Sequence, residues 1–481
     1  MNATLPAHKT KIVATIGPAS DSPEMLSLLI EAGVNVARLN FSHGDFARHA
    51  EVVRRIRQAA RDTGRRVAIM ADLPGPKMRL GKIKTESVQL QSGARFILTN
   101  EHIVGDAQRV SMSFEPLPRV VKRGDRIFLN DGLVQLVVEG VVGNDVECTV
   151  AVGGELRSRK GLNLPRIDLG ISAFTEHDRS CLEFALEAGI DAVSQSFVES
   201  AADIKAVRAA AARKGSHPFI IAKIERSAAL AHFDEILTAA DGIMVARGDL
   251  GVEVPIEEIA HTQKQLIAKA NLASKPVITA TQMLESMVTS RLPTRAEATD
   301  VANAILDGTD CVMLSGESAM GKFPEEAVTM LAKIAAFTEA HRPRTTLAAR
   351  REFLEQQAAI TATDRMASLV EHALDTVPCD AVLVPTRGGT TARVISRCKP
   401  SVWIIAPSCD PAACQNLAFS YGVHPVDLPE EPDDWRQWAA EWLRNHGVAA
   451  ERVMLVAGPS PRNPNANHRI ELMRLDAQQD M

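Results

Sequence analysis

The 481-residue sequence contains few aromatic residues and no long apolar run. One tyrosine, four tryptophans and 14 phenylalanines cannot build large aromatic cores, so Val, Ile, Leu and Ala must fill the interior. No apolar stretch approaches the roughly 18 residues that span a membrane. Residues 1–11 also lack the apolar centre of a signal peptide, so we expect a cytoplasmic protein without a membrane segment.

Basic residues and paired cysteines are scarce as well. The 54 Lys and Arg residues do not exceed the 59 Asp and Glu residues, and the net charge of −5 argues against nucleic-acid binding. The seven cysteines include no Cys-x-x-Cys pair. Neither a disulfide framework nor a structural zinc site is therefore expected.

Short apolar runs alternate with amphipathic stretches between residues 9 and 338. Each run is bounded by Gly, Pro, Asp or Asn, as is typical of strands buried on both faces of a parallel sheet. The eight runs are 12–16, 34–39, 67–70, 192–197, 219–224, 243–246, 277–280 and 311–314. Eight strand-then-helix units predict an α/β protein built on a closed (β/α)8 TIM barrel, formed by residues 1–74 and 164–338.

Two regions depart from this rhythm. Residues 75–163 show alternating segments and glycine turns without a helical face, which predicts an inserted, small all-β barrel that acts as a lid. Residues 339–481 begin with a polar, basic stretch and then return to strand and helix patterns. Strands near 381–384, 402–406 and 453–456 predict a C-terminal α/β domain.

Polar side chains follow seven of the eight barrel runs. In a barrel of this kind, the C-terminal strand ends meet at one mouth and carry the chemistry. The residues delivered there are Arg38, Asn40 and Ser42; Asp72; Ser196; Lys223 and Glu225; Arg247 and Asp249; Thr281 and Gln282; and Ser315 and Glu317.

Four of these charged groups, together with Arg79 just past strand three, constrain the reaction. Glu225 and Asp249 are carboxylates on adjacent strands with no neighbouring His or Cys, a donor set that suits Mg²⁺ or Mn²⁺. Arg38, Lys223 and Arg79 bring three cations to one mouth, which fits a phosphoryl group or a dicarboxylate. Metal and cations together favour phosphoryl transfer, and the absence of a Gly-x-x-x-x-Gly-Lys motif excludes a P-loop enzyme.

Alternatives remain open at this point. Lys223 and Glu225 are also compatible with an internal ion pair, and Ser315 and Glu317 with packing at the barrel end. A metal-dependent aldolase or lyase acting on a 2-oxo acid would use paired carboxylates as well, but it would not need three cations. A binding protein without catalytic activity would not need the complete set of metal and cation residues.

Six segments resemble the bacterial pyruvate kinases in order and spacing. They are 35–44 (NVARLNFSHG), 222–225 (AKIE), 244–253 (MVARGDLGVE), 279–287 (TATQMLESM), 293–297 (PTRAE) and 313–317 (MLSGE). The resemblance extends from residue 9 to about residue 336, whereas the C-terminal domain matches in pattern only. It implies a barrel with a lid and a C-terminal effector domain, assembled as a homotetramer.

The resemblance also implies an activity and assigns residues to it. The enzyme would transfer phosphoryl from phosphoenolpyruvate to ADP, giving pyruvate and ATP through a Mg-stabilised enolate, as the last step of glycolysis. Lys223 would stabilise the transition state and the enolate, while Glu225 and Asp249 would hold Mg²⁺. Thr281 and the backbone of Gly248 and Asp249 would bind the substrate carboxylate. The proton donor is left open by the resemblance, and Thr281 acting through a water is our candidate for it.

The resemblance assigns further roles to residues that would face the phosphates of the substrates. Arg38 and Arg79 would bind the transferring phosphate as catalytic residues. Asn40, His43, Arg79 and Lys160 would lie at the nucleotide.

The C-terminal domain carries a loop that resembles the family's effector-phosphate loop. It consists of Thr386, Arg387, Gly388, Gly389, Thr390 and Thr391. Small residues and free amides before a helix suit an anion. Residues 458–468 depart from the family pattern that closes over fructose 1,6-bisphosphate, so a sugar monophosphate or a nucleotide is the expected effector.

A final departure concerns the monovalent cation. The residues matching the family's K⁺ ligands are Asn40, Ser42, Asp72 and the carbonyl of Leu73. Many relatives read Asp-Thr-Lys-Gly-Pro-Glu after strand three, whereas residues 72–77 read DLPGPK, so Lys77 replaces a carboxylate. Two cations in one pocket repel each other, so we predict that K⁺ is not required.

Overall fold

The first strands and helices of the chain form one side of a barrel. In the computed structural model, which describes residues 4–167, 169–342, 361–459, 462 and 465–475, they are β1 (Lys11–Thr15), α1 (Pro23–Ala32), β2 (Val34–Asn40), α2 (Phe46–Thr63) and β3 (Ala68–Leu73). Ser22 caps α1 by accepting the Met25 N–H, and Gly33 ends the helix with a φ of 124°.

An inserted β domain follows β3. Its elements are β4 (Ser87–Leu90), β5 (Arg95–Thr99), β6 (Arg109–Ser111), α3 (Leu117–Val120), β7 (Arg126–Leu129), β8 (Val134–Val142), β9 (Asp145–Val152), β10 (Gly154–Arg157) and β11 (Leu162–Asn163). Six strands pair in the order β11-β7-β8-β9-β5-β6, and β10 pairs with β4. Alternate residues such as Phe96, Leu98 and Val146 face one core, which is separate from that of the barrel.

The chain then completes the barrel. The remaining elements are α4 (Glu176–Glu187), β12 (Ala192–Gln195), α5 (Ala201–Arg213), β13 (Phe219–Ile224), α6 (Ser227–Ala231), α7 (Phe233–Ala239), β14 (Gly242–Ala246), α8 (Arg247–Glu253), α9 (Ile259–Leu272), β15 (Val277–Ala280), α10 (Arg295–Asp307), β16 (Cys311–Leu314), α11 (Gly316–Ala319) and α12 (Pro324–Ala340). Short 3₁₀ turns lie at Ile256–Glu258 and Glu285–Val288.

The eight parallel strands close on one another in the order β1-β16-β15-β14-β13-β12-β3-β2. Every residue of β1, β3 and β13 is buried, because helices cover the outside and side chains fill the inside. The predicted fold class, a (β/α)8 barrel with a C-terminal α/β domain, is confirmed. One run is shorter than predicted: β12 ends at Gln195, because Phe197 turns to a φ of 57° and donates its N–H to Glu225.

Within its described residues, the C-terminal domain has five strands rather than the three expected. Its elements are α13 (Ala362–Thr376), β17 (Ala381–Leu383), α14 (Thr390–Ser396), β18 (Trp403–Ser408), α15 (Pro411–Leu417), β19 (Val423–Asp427), α16 (Trp435–Asn445), β20 (Arg452–Ala457) and β21 (Arg469–Arg474). The order is β19-β18-β17-β20-β21, with β21 antiparallel at one edge. β19 and β21 are edge strands with half-exposed or exposed residues, so they lack the apolar run that marks a buried strand.

Most of the basic stretch that opens this region, residues 343–351, lies outside the described residues. None of the helices in the described part of the chain combines the length and the apolar character that a membrane span requires.

Candidate active site

Lys223 lies at the centre of the barrel mouth, one residue before the end of β13. Its Nζ is 2.8 Å from Glu225 Oε1 and 3.4 Å from Asp72 Oδ1, and it donates to Ser196 Oγ at 2.7 Å. Burial disfavours the ammonium, but the carboxylates of Asp72 and Glu225 outweigh burial and raise the pKa of Lys223. The residue is therefore a permanent positive charge in a site that is largely shielded from water.

Asp72 joins that lysine to a second cation. Arg38 Nη2 lies 2.5 Å from Asp72 Oδ2, and Arg38 Nη1 donates to Thr15 Oγ1 at 2.9 Å. Ser194 donates to Asp72 Oδ1 at 2.6 Å. Burial opposes the charge of Asp72, yet Arg38 and Lys223 hold its pKa at about 2. Arg38 is thus buried and oriented at the mouth before any substrate arrives.

Glu225 and Asp249 form the candidate metal site. Glu225 Oε2 accepts the Phe197 N–H at 2.7 Å, which fixes the carboxylate. Burial, followed by the repulsion of Glu225, raises the pKa of Asp249 to about 6. Two buried carboxylates that repel each other suit a divalent cation. Within the described residues, no group of three or more His, Cys, Asp and Glu side chains is arranged to hold a metal ion.

Gly248 and Thr281 meet where the ends of β14 and β15 adjoin. Gly248 donates its N–H to Thr281 Oγ1 at 2.7 Å, and that hydroxyl donates to the Ala280 carbonyl at 2.6 Å. Both donors are used within the protein, and a substrate carboxylate would accept them in place of Thr281 Oγ1 and the Ala280 carbonyl. The predicted carboxylate-binding residues are therefore brought together beside Asp249.

Two of the predicted nucleotide residues, Arg79 and Lys160, lie on the lid side of the mouth. Arg79 forms a backbone bridge with Gly161, and the Leu80 N–H donates to the Lys160 carbonyl at 2.9 Å. Arg79 and Lys160 therefore lie on the two paired segments by which the chain enters and leaves the lid. Burial lowers the pKa of His43, and the charges of Arg79, Lys77 and Arg38 lower it further. The charges of these three basic residues therefore act on the His43 imidazole.

Two family models match the chain. One is described as pyruvate kinase, barrel domain, and covers residues 7–328; the other is described as pyruvate kinase, alpha/beta domain, and covers residues 364–468. The chain belongs to the pyruvate kinase family. It is accordingly a phosphotransferase, and membership implies phosphoenolpyruvate and ADP as substrates. The aldolase or lyase alternative is not favoured.

Similar proteins cover nearly all of the chain. A pyruvate kinase of Thermococcus litoralis is 52% identical over 89% of this chain and 90% of its own length. One from Mycobacterium intracellulare is 40% identical over 98% of this chain and 99% of its own. The crystal structure of a pyruvate kinase from Cryptosporidium parvum superposes with a TM-score of 0.90 at 34% identity, covering 98% of this chain and 96% of that one. Pyruvate kinases generally use a divalent metal.

Ser315 and Glu317 have structural contacts rather than contacts with the other candidate residues. Glu317 is completely buried, and its carboxylate accepts the N–H groups of Leu284 and Ser315 at 3.1 and 2.8 Å. The packing alternative therefore holds for Glu317.

Asn40 and Ser42 lie together, because Asn40 Oδ1 accepts the Ser42 N–H at 3.1 Å.

Two residues without a predicted role contact the candidate residues at the mouth, namely Ser194 and Asp300. Ser194 contacts Asp72 and stands two residues before Ser196 on β12. Ser194 could have been predicted from Ser196, because alternate residues of a strand face the same side. Asp300, which pairs with Arg247, lies on α10 far along the chain, and no local pattern marks it.

The C-terminal loop, residues 386–391, only partly lines the cavity beside it. Thr386 and Arg387 border a cavity of about 740 Å³, together with Arg462 and Arg469. Thr390 borders a different cavity, of about 1080 Å³, between the barrel and the C-terminal domain. Residues 460, 461, 463 and 464 of the predicted 458–468 loop lie outside the described residues.

Proposed function

We propose that this site transfers a phosphoryl group from phosphoenolpyruvate to ADP and gives pyruvate and ATP through an enolate. The observation that carries the proposal is the position of Lys223. A buried ammonium contacts two carboxylates and lies beside Arg38 at the barrel mouth. Such a group stabilises negative charge that develops on a small anionic substrate.

The chain's own groups account for the steps. The bond between phosphorus and the C2 oxygen breaks as a terminal ADP oxygen attacks, and Arg38, Arg79 and Lys223 balance the charge on the phosphoryl group. Lys223 then stabilises the enolate oxygen until C3 takes a proton. Thr281, whose hydroxyl meets the Gly248 amide, holds the carboxylate and passes the proton through a water.

Glu225 and Asp249 would hold Mg²⁺ or Mn²⁺. When bound, the metal supplies positive charge to the oxygens of the substrates. Asn40, His43, Arg79 and Lys160 would contact the nucleotide from the barrel edge and the lid crossing. The burial of the two carboxylates supports the metal assignment, because burial and the repulsion of Glu225 raise the pKa of Asp249, and a bound divalent cation would offset both effects.

A coupled assay of pyruvate formation tests this function. The purified protein should form pyruvate from phosphoenolpyruvate only when ADP and Mg²⁺ are present, with one ATP per pyruvate. Pyruvate released from a larger 2-oxo acid without nucleotide would instead support the lyase alternative. No turnover with any of these substrates would support a binding protein.

We further propose that K⁺ is not required, because Lys77 supplies a fixed charge. The Lys77 side chain is exposed, yet its charge adds to the burial that lowers the pKa of His43 and partly offsets the burial that raises the pKa of Asp249. The ammonium therefore acts inside the site rather than only in solvent. At an effective dielectric near ~20, repulsion between two cations in one pocket reaches kcal/mol size and should exclude the mobile ion.

Turnover measured with about 100 mM KCl and with an equal concentration of a tetramethylammonium salt should therefore be nearly equal. Lys77→Glu should become dependent on K⁺, whereas Lys82→Glu, a charge reversal at another exposed lysine after strand β3, should not. A wild-type enzyme that is nearly inactive without K⁺ would end this proposal.

The C-terminal loop is proposed to bind a phosphorylated sugar or a nucleotide. Gly389 donates its N–H to Thr386 Oγ1 at 3.0 Å, which shapes the turn before α14, and Arg387 borders the cavity beside it. Activation curves with glucose 6-phosphate, ribose 5-phosphate and AMP should show a response that Thr391→Glu removes by charge repulsion. Thr376→Glu, on α13, should keep the response. Full activation of Thr391→Glu would contradict the site.

The homotetramer, the cytoplasmic location and the place at the end of glycolysis stay predictions from the family resemblance. Sedimentation of the purified protein at micromolar concentration tests the first of these.

A further inference from the structure

Two consecutive residues after β15 have an unfavourable backbone conformation. Thr281 has a φ of 67° and Gln282 a φ of 53°, in the left-handed region that residues with a side chain rarely adopt. Thr281 is β-branched, which makes this conformation costlier still. Such a conformation persists only where the surroundings hold it in place.

The guanidinium of Arg247 supplies contacts that hold it. Arg247 Nη2 donates to the Thr281 carbonyl at 2.8 Å, and Nε donates to the Ala280 carbonyl at 3.3 Å. The same Nη2 reaches the Gln282 carbonyl at 3.5 Å and the Met283 sulfur at 2.8 Å. One rigid, planar group thus binds successive points of the turned segment.

The guanidinium is itself fixed from the other side. Arg247 Nη1 lies 2.7 Å from the Asp300 carboxylate and 3.4 Å from Gln263 Oε1. The Arg247 side chain is 11% exposed. An arginine that pairs with a carboxylate and donates to carbonyls has little freedom to move. Arg247 therefore connects Asp300 on α10 to the segment that follows β15.

We infer that Arg247 is a positioning residue for the carboxylate of phosphoenolpyruvate. It begins α8, and the N–H of the next residue, Gly248, donates to Thr281 Oγ1. The Arg247 main chain therefore positions the Gly248 N–H, and the Arg247 side chain positions Thr281. These are the two donors assigned to the substrate carboxylate. Arg247 acts through Thr281 and Gly248 and touches no reacting atom. The inference rests on the proposed function, which assigns the carboxylate to these two groups.

Steady-state kinetics of Arg247→Lys test it. Lysine keeps the charge but cannot bond several carbonyls and Asp300 together, so the KM for phosphoenolpyruvate should rise about tenfold or more. The KM for ADP should stay within about twofold, because the nucleotide residues lie on other strands and on the lid. Asp300→Asn should shift the KM for phosphoenolpyruvate in the same direction by a smaller factor, and it serves as the test should Arg247→Lys fold poorly.

Arg57→Lys is the matched control. Arg57 also pairs with an aspartate, Asp191, and donates to the Val67 and Gly189 carbonyls at 3.0 and 2.9 Å. These contacts lie at the N-terminal ends of β3 and β12, away from the mouth. Arg57→Lys should leave the KM for phosphoenolpyruvate unchanged, even where it lowers the melting temperature.

A double-mutant cycle separates positioning from general damage. Thr281→Ala should raise the KM for phosphoenolpyruvate in the wild-type and Arg57→Lys backgrounds, but add little in the Arg247→Lys background, because the hydroxyl is already displaced. Additive effects, or an unchanged KM in a folded Arg247→Lys, would overturn the inference. A wild-type enzyme that forms no pyruvate from phosphoenolpyruvate and ADP would overturn the proposed function instead.

Discussion

Replacing Lys223 by methionine should lower kcat for pyruvate formation by about a thousandfold or more, with a modest change in KM. Methionine matches the length of the side chain but removes the charge that Ser196, Glu225 and Asp72 now hold at the mouth. Charge develops there only as the phosphoryl group leaves and the enolate forms. The lost interaction therefore belongs to the transition state, and measurement of kcat and KM separately shows it.

The fold should survive this change. Asp72 keeps its pairing with Arg38 and its bond from Ser194, and Glu225 keeps the Phe197 N–H. Lys399→Met is the matched control: Lys399 is equally buried and pairs with Asp310 at 2.7 Å, at the N-terminal side of the barrel. It should lower thermal stability and leave kcat within about tenfold. Turnover of Lys223→Met within tenfold of the wild type would show that the assigned role is wrong.

Glu225→Gln and Asp249→Asn should each raise the Mg²⁺ concentration needed for half-maximal rate by about tenfold to a hundredfold. Each change removes one of only two candidate carboxylate ligands, and an amide binds a divalent cation more weakly. Titration of the rate against free Mg²⁺, at fixed nucleotide, measures the effect. Binding of Mn²⁺ followed by electron paramagnetic resonance, without nucleotide, gives a second measurement that does not depend on turnover.

Glu253→Gln controls for the loss of a buried carboxylate. Glu253 lies on the same helix, α8, but accepts the N–H and the hydroxyl of Ser227 at 3.2 and 3.1 Å. Its replacement should leave both titrations within about twofold. Unchanged Mg²⁺ and Mn²⁺ titrations in Glu225→Gln and Asp249→Asn would place the metal elsewhere.

Barrel strands were predictable because burial on both faces demands apolar runs. The runs at 219–224, 277–280 and 311–314 correspond to β13, β15 and β16 without a shift. Strands that face solvent carry no such demand, and β19 and β21 were missed for that reason. The bend at Phe197 was missed as well, since a long-range bond from its N–H to Glu225 overrides the apolar pattern.

The sequence by itself determined the family, the barrel and the set of charged residues at its mouth, because strand period and motif spacing are local properties. Tertiary structure decided which of those charges pair. Asp72 binds both Arg38 and Lys223, Glu317 serves packing, and Arg247 reaches across to the next strand. These contacts join residues from separate strands and helices, and their energy depends on burial and on distances that arise only when the barrel closes.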